Sequence, residues 1–131
     1  MTEKVVVHFR DGRLLKGFAS HPSGGHTSID VTPLEQRDDP ISVRFDAVKA
    51  IFFVKDFTGD STYSETKEFA PDEPYRPGRV AFHMEDGEVL VGIVEDYQPE
   101  HTGFFLTPVD RQSNNIRCFV GAAAIKRASM A

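Results

Sequence analysis

The chain has 131 residues, 40% of them hydrophobic and 11 of them Phe, with a formal net charge of −5. That is about one domain of sequence with enough apolar mass for a packed core, which excludes a disordered chain, and the acidic balance counts against a phosphate-tracking surface, which needs clustered Lys and Arg. A single cysteine, Cys118, forms no intramolecular disulfide; the start, MTEKVVV, reads as no signal peptide; and no apolar run reaches the roughly 18 residues of a membrane span. Together these features give the expectation of a cytoplasmic protein without membrane association.

Residues 4 to 10 alternate apolar and polar, the period of a strand, and Asp11-Gly12 then predicts a two-residue type I′ hairpin. That turn would set Phe9 against Leu14, Val7 against Lys16 and Val5 against Phe18. Most of this stretch is written again 75 positions later: across Lys4 to Glu35 and Arg79 to Asp110, 10 of 32 positions are identical. An internal repeat dictates architecture. The second hairpin, around Asp86-Gly87, should pair Met84 with Val89, Phe82 with Val91 and Val80 with Ile93. Gly17 and Gly92, inside strands at matching places, signal a sharp bend or a close backbone approach.

A third strand is expected over Ser28 to Leu34 with Ile29 and Val31 inward, matched by Gly103 to Val109 with Phe104 and Leu106 inward. A fourth follows at Ile41 to Phe45 and at Ile116 to Val120. The fifth runs Val48 to Val54, matched by Ala122 to Ala128 if Ala50-Ile51 is set against Ala124-Ile125. Between the copies, residues 55 to 78 hold six acids and three bases and read as a surface connection. The resulting organisation is an all-β protein with little helix: a barrel repeat at 1–54, an acidic connecting segment at 55–78 and a second barrel repeat at 79–131, the two being pseudo-symmetric and five-stranded.

No residue pattern announces catalysis. A nucleophile elbow, a phosphate loop and a dinucleotide fingerprint are all missing from the sequence, the histidines His8, His26, His83 and His101 lack metal-ligand spacing, and Cys118 falls on a strand, where a thiol is inert packing. The expectation is no enzyme, no cofactor and no metal. Apolar runs at Ile51 to Val54 and Gly103 to Leu106 break the alternation and belong to strands buried on both faces. Phe52, Val54 and Phe105 are therefore assigned to a contact between the repeats or with a partner. Arg111, Asn114, Asn115 and Arg117 concentrate polar groups in and beside one loop and form the candidate ligand surface.

The strand ending in Asp11-Gly12-Arg13, with Gly17 after it, resembles the opening of an Sm-like or SH3-like small barrel. The Sm family's second motif, of Ile-Arg-Gly type, is matched by Ile116-Arg117-Cys118 without its glycine, so the resemblance implies the barrel and not the RNA site. A closer resemblance is to an uncharacterised bacterial family with DGR-x-x-x-G, a segment like Ala50 to Phe57, and one like Gly103 to Asp110 followed by Ser113-Asn114-Asn115. That resemblance implies a bacterial, non-enzymatic accessory of regulation. Residues 76–79, RPGR, and 110–113, DRQS, are compared with PilZ-type dinucleotide receptors and depart from both PilZ motifs. The functional expectation is an interaction module holding a protein partner, or a second copy of itself, through strand edges or the groove between repeats; the alternative is a nucleic-acid or cyclic-dinucleotide binder.

Overall fold

A computed structural model describes residues 3–20, 26–35, 39–58, 78–94, 100–109 and 114–130. The structure is all-β. Its strands are β1 (Glu3–Phe9), β2 (Leu14–Ala19), β3 (Ser28–Pro33), β4 (Ile41–Arg44), β5 (Val48–Val54), β6 (Arg79–Met84), β7 (Val89–Ile93), β8 (Gly103–Pro108), β9 (Asn115–Gly121) and β10 (Ile125–Met130). Two short 3-10 turns, Phe45–Ala47 and Ala122–Ala124, lie between β4 and β5 and between β9 and β10. Most of the connecting segment and Arg111 fall outside the described residues. Among the described residues no helix is long and apolar enough to cross a membrane.

Among the described residues the ten strands join one antiparallel sheet in the order β10-β6-β7-β8-β9-β5-β1-β2-β3-β4. Each half contributes five neighbouring strands, and the pairing between them is β5 with β9. The register repeats along with the sequence: Val5 pairs with Gly17, and Val80 with Gly92.

That register is one residue away from the one the Asp-Gly dipeptide predicts. Val7 faces Leu15 and His8 faces Leu14, while Phe82 faces Leu90 and His83 faces Val89. A type I′ turn requires positive φ at both central residues, yet only Gly12 (φ 93°) and Gly87 (φ 94°) adopt it here, and no non-glycine residue does so among those described. The hairpin instead closes through a three-residue loop: the Phe9 amide donates to Arg13 O at 2.9 Å and the Gly12 amide to Phe9 O at 3.1 Å, with Met84, Glu88 and Gly87 repeating the pattern. This is the loop class in which a glycine absorbs the left-handed step. Gly17 consequently lies on the inner face, where a Cβ would run into the Thr32 carbonyl oxygen.

The fifth strand of the second half also departs from expectation. Ala50 pairs with His8 and Arg127 with His83, so equivalent positions are 77 apart and Ala122–Ala124 forms the turn and not the strand. Lys126 and Arg127 on this strand are exposed, which leaves it without the apolar signature of β5.

Two apolar clusters form the core, and they interlock across the seam. Val5, Val7, Val31, Val43, Phe45, Ile51 and Phe53 build the first, and Phe119 from β9 completes it. Phe82, Met84, Phe104, Leu106, Cys118 and Val120 build the second, and Ala50 from β5 completes it. Both seam strands are thus buried on both faces, as their unbroken apolar runs imply. Ile51 is fully buried, and its truncation to Ala should cost about 2–5 kcal/mol. Because the clusters share the seam and each contains phenylalanines, urea unfolding of Ile51→Ala, followed by phenylalanine near-UV and backbone far-UV circular dichroism, is expected to remain one coincident transition shifted to lower urea; two separated transitions would show that the halves fold independently.

Candidate functional site

The sheet curls so that β7 and β8 come to stand opposite β1 and β5. A cleft of about 300 Å³ opens between them. Strand alternation determines its floor: Val6 and His8 on β1, Phe52 and Val54 on β5, and Cys118 on β9 are cross-strand neighbours on one face. Glu88, Val89, Leu90 and Val91 form the facing wall with Leu106 and Pro108 of β8, and Asn114 and Asn115 close one end.

Asn115 reaches this face through a β-bulge. Phe53 pairs with Arg117, but Val54 pairs with Asn115, so Ile116 is an extra residue in β9 and stands exposed. A bulge moves the residues beyond it to the other face. Asn115 therefore lines the cleft while Arg117 turns away. Arg117 Nη2 donates to Glu3 Oε2 at 2.6 Å, and its guanidinium lies 4.5 Å from the Phe53 ring centre and 5.3 Å from that of Phe105. Phe105 itself packs on the first cluster and stacks edge-on with Phe119.

The sequence-assigned residues accordingly separate. Asn114, Asn115, Phe52 and Val54 gather at the cleft, Arg117 and Phe105 lie on the opposite side of the sheet, and Arg111 is outside the described residues. Asn114 holds the end of the cleft in shape: its amide donates to Asp56 O at 2.8 Å, its Oδ1 accepts the Asp56 amide at 3.0 Å, and its backbone carbonyl accepts the Lys55 amide at 2.9 Å. Sequence reasoning left out of the site Val6, His8, the stretch Glu88 to Val91, and Leu106, Pro108 and Cys118. Alternation placed Val6 and His8 on the face away from the first core; nothing local showed that a distant hairpin would cover that face.

The whole chain, residues 1–131, matches the model of a family of unknown function, DUF6982. The chain belongs to this family. No curated protein and no solved structure matches it.

An ionic clamp closes the other end of the cleft. Arg10 makes a bidentate pair with Glu85, at 2.8 and 2.9 Å, and Lys49 reaches Asp86 at 2.6 Å and Glu88 at 2.5 Å. Burial alone would lower the Lys49 ammonium, and the Asp86 and Glu88 carboxylates more than reverse this, so its pKa lies above the ordinary value. Hydrogen bonds from Arg10 and Lys49 hold Glu85 and Asp86 below the ordinary carboxylate range.

Next to this clamp His8 packs edge-on against Phe52, with ring centres 4.7 Å apart. Burial first, and the Lys49 charge second, push its pKa below the ordinary 6.5. A histidine whose folded pKa is lowered contributes stability that is fully present above the unfolded pKa and lost as pH falls through the folded one. The wild-type chain should therefore lose stability as pH drops from about 7 to 5, and His8→Phe should flatten that part of the curve. Urea midpoints measured across this range check it; a wild-type midpoint constant between those pH values would show that His8 is not desolvated.

Proposed function

We propose that the chain is a non-enzymatic binding module of the bacterial cytoplasm that takes a segment of a protein partner into the cleft between its halves. The observation that carries this reading is the cleft itself, whose apolar walls, Val6, Phe52, Val54, Val91 and Leu106, run between polar ends at His8 and Glu88 and at Asn114 and Asn115. Concave, mostly apolar sites with a few placed polar groups are where proteins hold ligands, and this one is at the small end of the usual range.

The outer sheet edges are weaker candidates. β4 and β10 end the sheet, but they carry Arg44 and the pair Lys126 and Arg127, exposed charges of the kind that discourages strand addition. The nucleotide reading has less support, because Asn114 and Arg117 already bind Asp56 and Glu3.

The test is an amide-proton shift map of the isotopically labelled chain against a library of acetylated hexapeptide amides. Perturbations are expected on Val6, Phe52 and Val91, and a Val91→Glu variant, which sets a charge on the cleft wall, should weaken binding at least tenfold while the fold persists. Perturbations centred on β4 and β10 would move the site to the outer edges. In parallel, mixed oligonucleotides at low salt should give a flat titration; binding that weakens steeply with salt would establish the nucleic-acid reading instead.

A further inference from the structure

We infer that the second half carries a further docking surface, on the opposite face of the sheet from the cleft floor, where Lys126 and Arg127 beside His83 hold a partner turn bearing two carboxylates. The observation that leads to it is a β-bulge that occurs twice. In the first half Phe9 pairs with Val48 and His8 with Ala50, which leaves Lys49 as an extra residue in β5. In the second half Met84 pairs with Ile125 and His83 with Arg127, which leaves Lys126 as an extra residue in β10. A bulge re-aims a side chain. Here it sets a lysine beside a histidine in both halves.

The first half shows what such a lysine does. Lys49 reaches Asp86 at 2.6 Å and Glu88 at 2.5 Å, two carboxylates that flank Gly87 in one turn, and its side chain is only 13% exposed between them. Its surroundings are apolar: Ala50 follows it in β5, and Phe52 packs on His8. At the matched positions of the second half the surroundings are polar. Arg127 stands in the place of Ala50, and Ser129, in the place of Phe52, sets its hydroxyl 3.1 Å from His83 Nε2. Lys126 and Arg127 are exposed. One bulge thus holds a single cation enclosed by an acidic hairpin, and the other presents two cations next to a hydrogen-bonding His83–Ser129 pair.

Register places the surface. Arg79 pairs with Ile93, Ile93 with Thr107, and Phe105 with Phe119. By strand alternation His83 therefore shares a face with Phe105 and Phe119, which belong to the first cluster. Val6, His8 and Phe52 line the cleft on the other face, so a partner held by Lys126 and Arg127 leaves the cleft free.

Charge names the partner. The turn that Lys49 holds is Glu85 to Glu88, and its counterpart in the first half reads Arg10-Asp11-Gly12-Arg13, with arginine at both outer positions. A second copy of this chain offering that turn would set two arginines against Lys126 and Arg127. Its acidic turn is already held by its own Arg10 and Lys49. The occupant is therefore a different protein, one that displays an acidic turn with carboxylates spaced as Asp86 and Glu88 are.

The probe is a cyclised hairpin peptide built around Glu-Asp-Gly-Glu, the sequence of residues 85–88, titrated into the isotopically labelled full chain. Exposed ion pairs are individually weak, so binding in the millimolar range is expected, with amide shifts at His83, Lys126 and Arg127 that shrink as salt screens the charges. Lys126→Glu should weaken binding at least tenfold, and Lys126→Arg should keep it within about threefold; both replace an exposed side chain, and an otherwise unchanged amide spectrum checks the fold. The same hairpin with Gln, Asn and Gln in place of its three acids should leave these amides unmoved. Equal shifts from the neutral hairpin, binding indifferent to Lys126→Glu, or still amides at Lys126 and Arg127 under millimolar probe would each overturn the inference. Shifts confined to Arg10 and Lys49 would do so as well, since the probe would then only be replacing the built-in hairpin. A mixed oligonucleotide that moves the Lys126 and Arg127 amides at lower concentration than the acidic hairpin would give the surface to nucleic acid instead. Occupancy of the cleft is read separately, at Val6, Phe52 and Val91, so either result stands without the other.

Discussion

Everything else in the molecule depends on β5 and β9 pairing with both of their faces buried. A chain half of this size buries a low fraction of its surface alone, and neither apolar cluster here is complete without a side chain from the other half. Phe119 crosses to the first cluster and Ala50 to the second. The seam is therefore core, formed by ladder hydrogen bonds and packing together, and the two halves have no clean surface along which to part. Continuity of the sheet across this seam is also what lets β7 and β8 curl round to face β1 and β5.

The cleft follows from that curl. Its floor is ordinary strand alternation, its far wall is a hairpin brought across by sheet curvature, and the ion pairs of Arg10 and Lys49 tie the hairpin down. The Arg10–Glu85 pair is exposed enough to add little to stability, whereas the Lys49 side chain is largely buried between its two carboxylates. Their use here is positional: they tie the second hairpin to Arg10 and Lys49 at one end, while at the other the Asn114–Asp56 bonds hold the start of β9 on the end of β5. The groove is thereby held at both ends and apolar in its middle.

Much of the fold was legible from alternation and repetition. The span of β5 was read to the residue, the inward set Ile29, Val31, Phe104 and Leu106 is buried, and of the two double-faced Phe runs the one at Ile51 to Val54 lies on the seam strand β5 while the one at Gly103 to Leu106 lies on β8, next to the seam strand β9. The hairpin register was not legible, because the Asp-Gly pair fits two loop lengths and only backbone conformation separates them: Asp11 keeps negative φ, so the loop takes three residues and every partner moves by one. β10 was missed by a few residues because Lys126 and Arg127 hide its period. The cleft was the least visible feature. Two of its residues, Asn114 and Asn115, stood out by chemistry, but Arg117 stood out equally and points elsewhere, since a single extra residue at Ile116 reverses the face. Sequence alone does not announce where a bulge falls, nor which distant strand will cover an apolar face.

Arg10 and Glu85 lie at matched places of the two hairpins, 75 residues apart, and they touch. Opposite charges at matched positions of the two hairpins make the halves complementary to each other. Overwriting either segment with the other would set Arg against Arg or Glu against Glu across the clamp, in the midst of the cleft rim. Each half thus supplies the charge that the other lacks at this position, and the contact that joins them needs both signs.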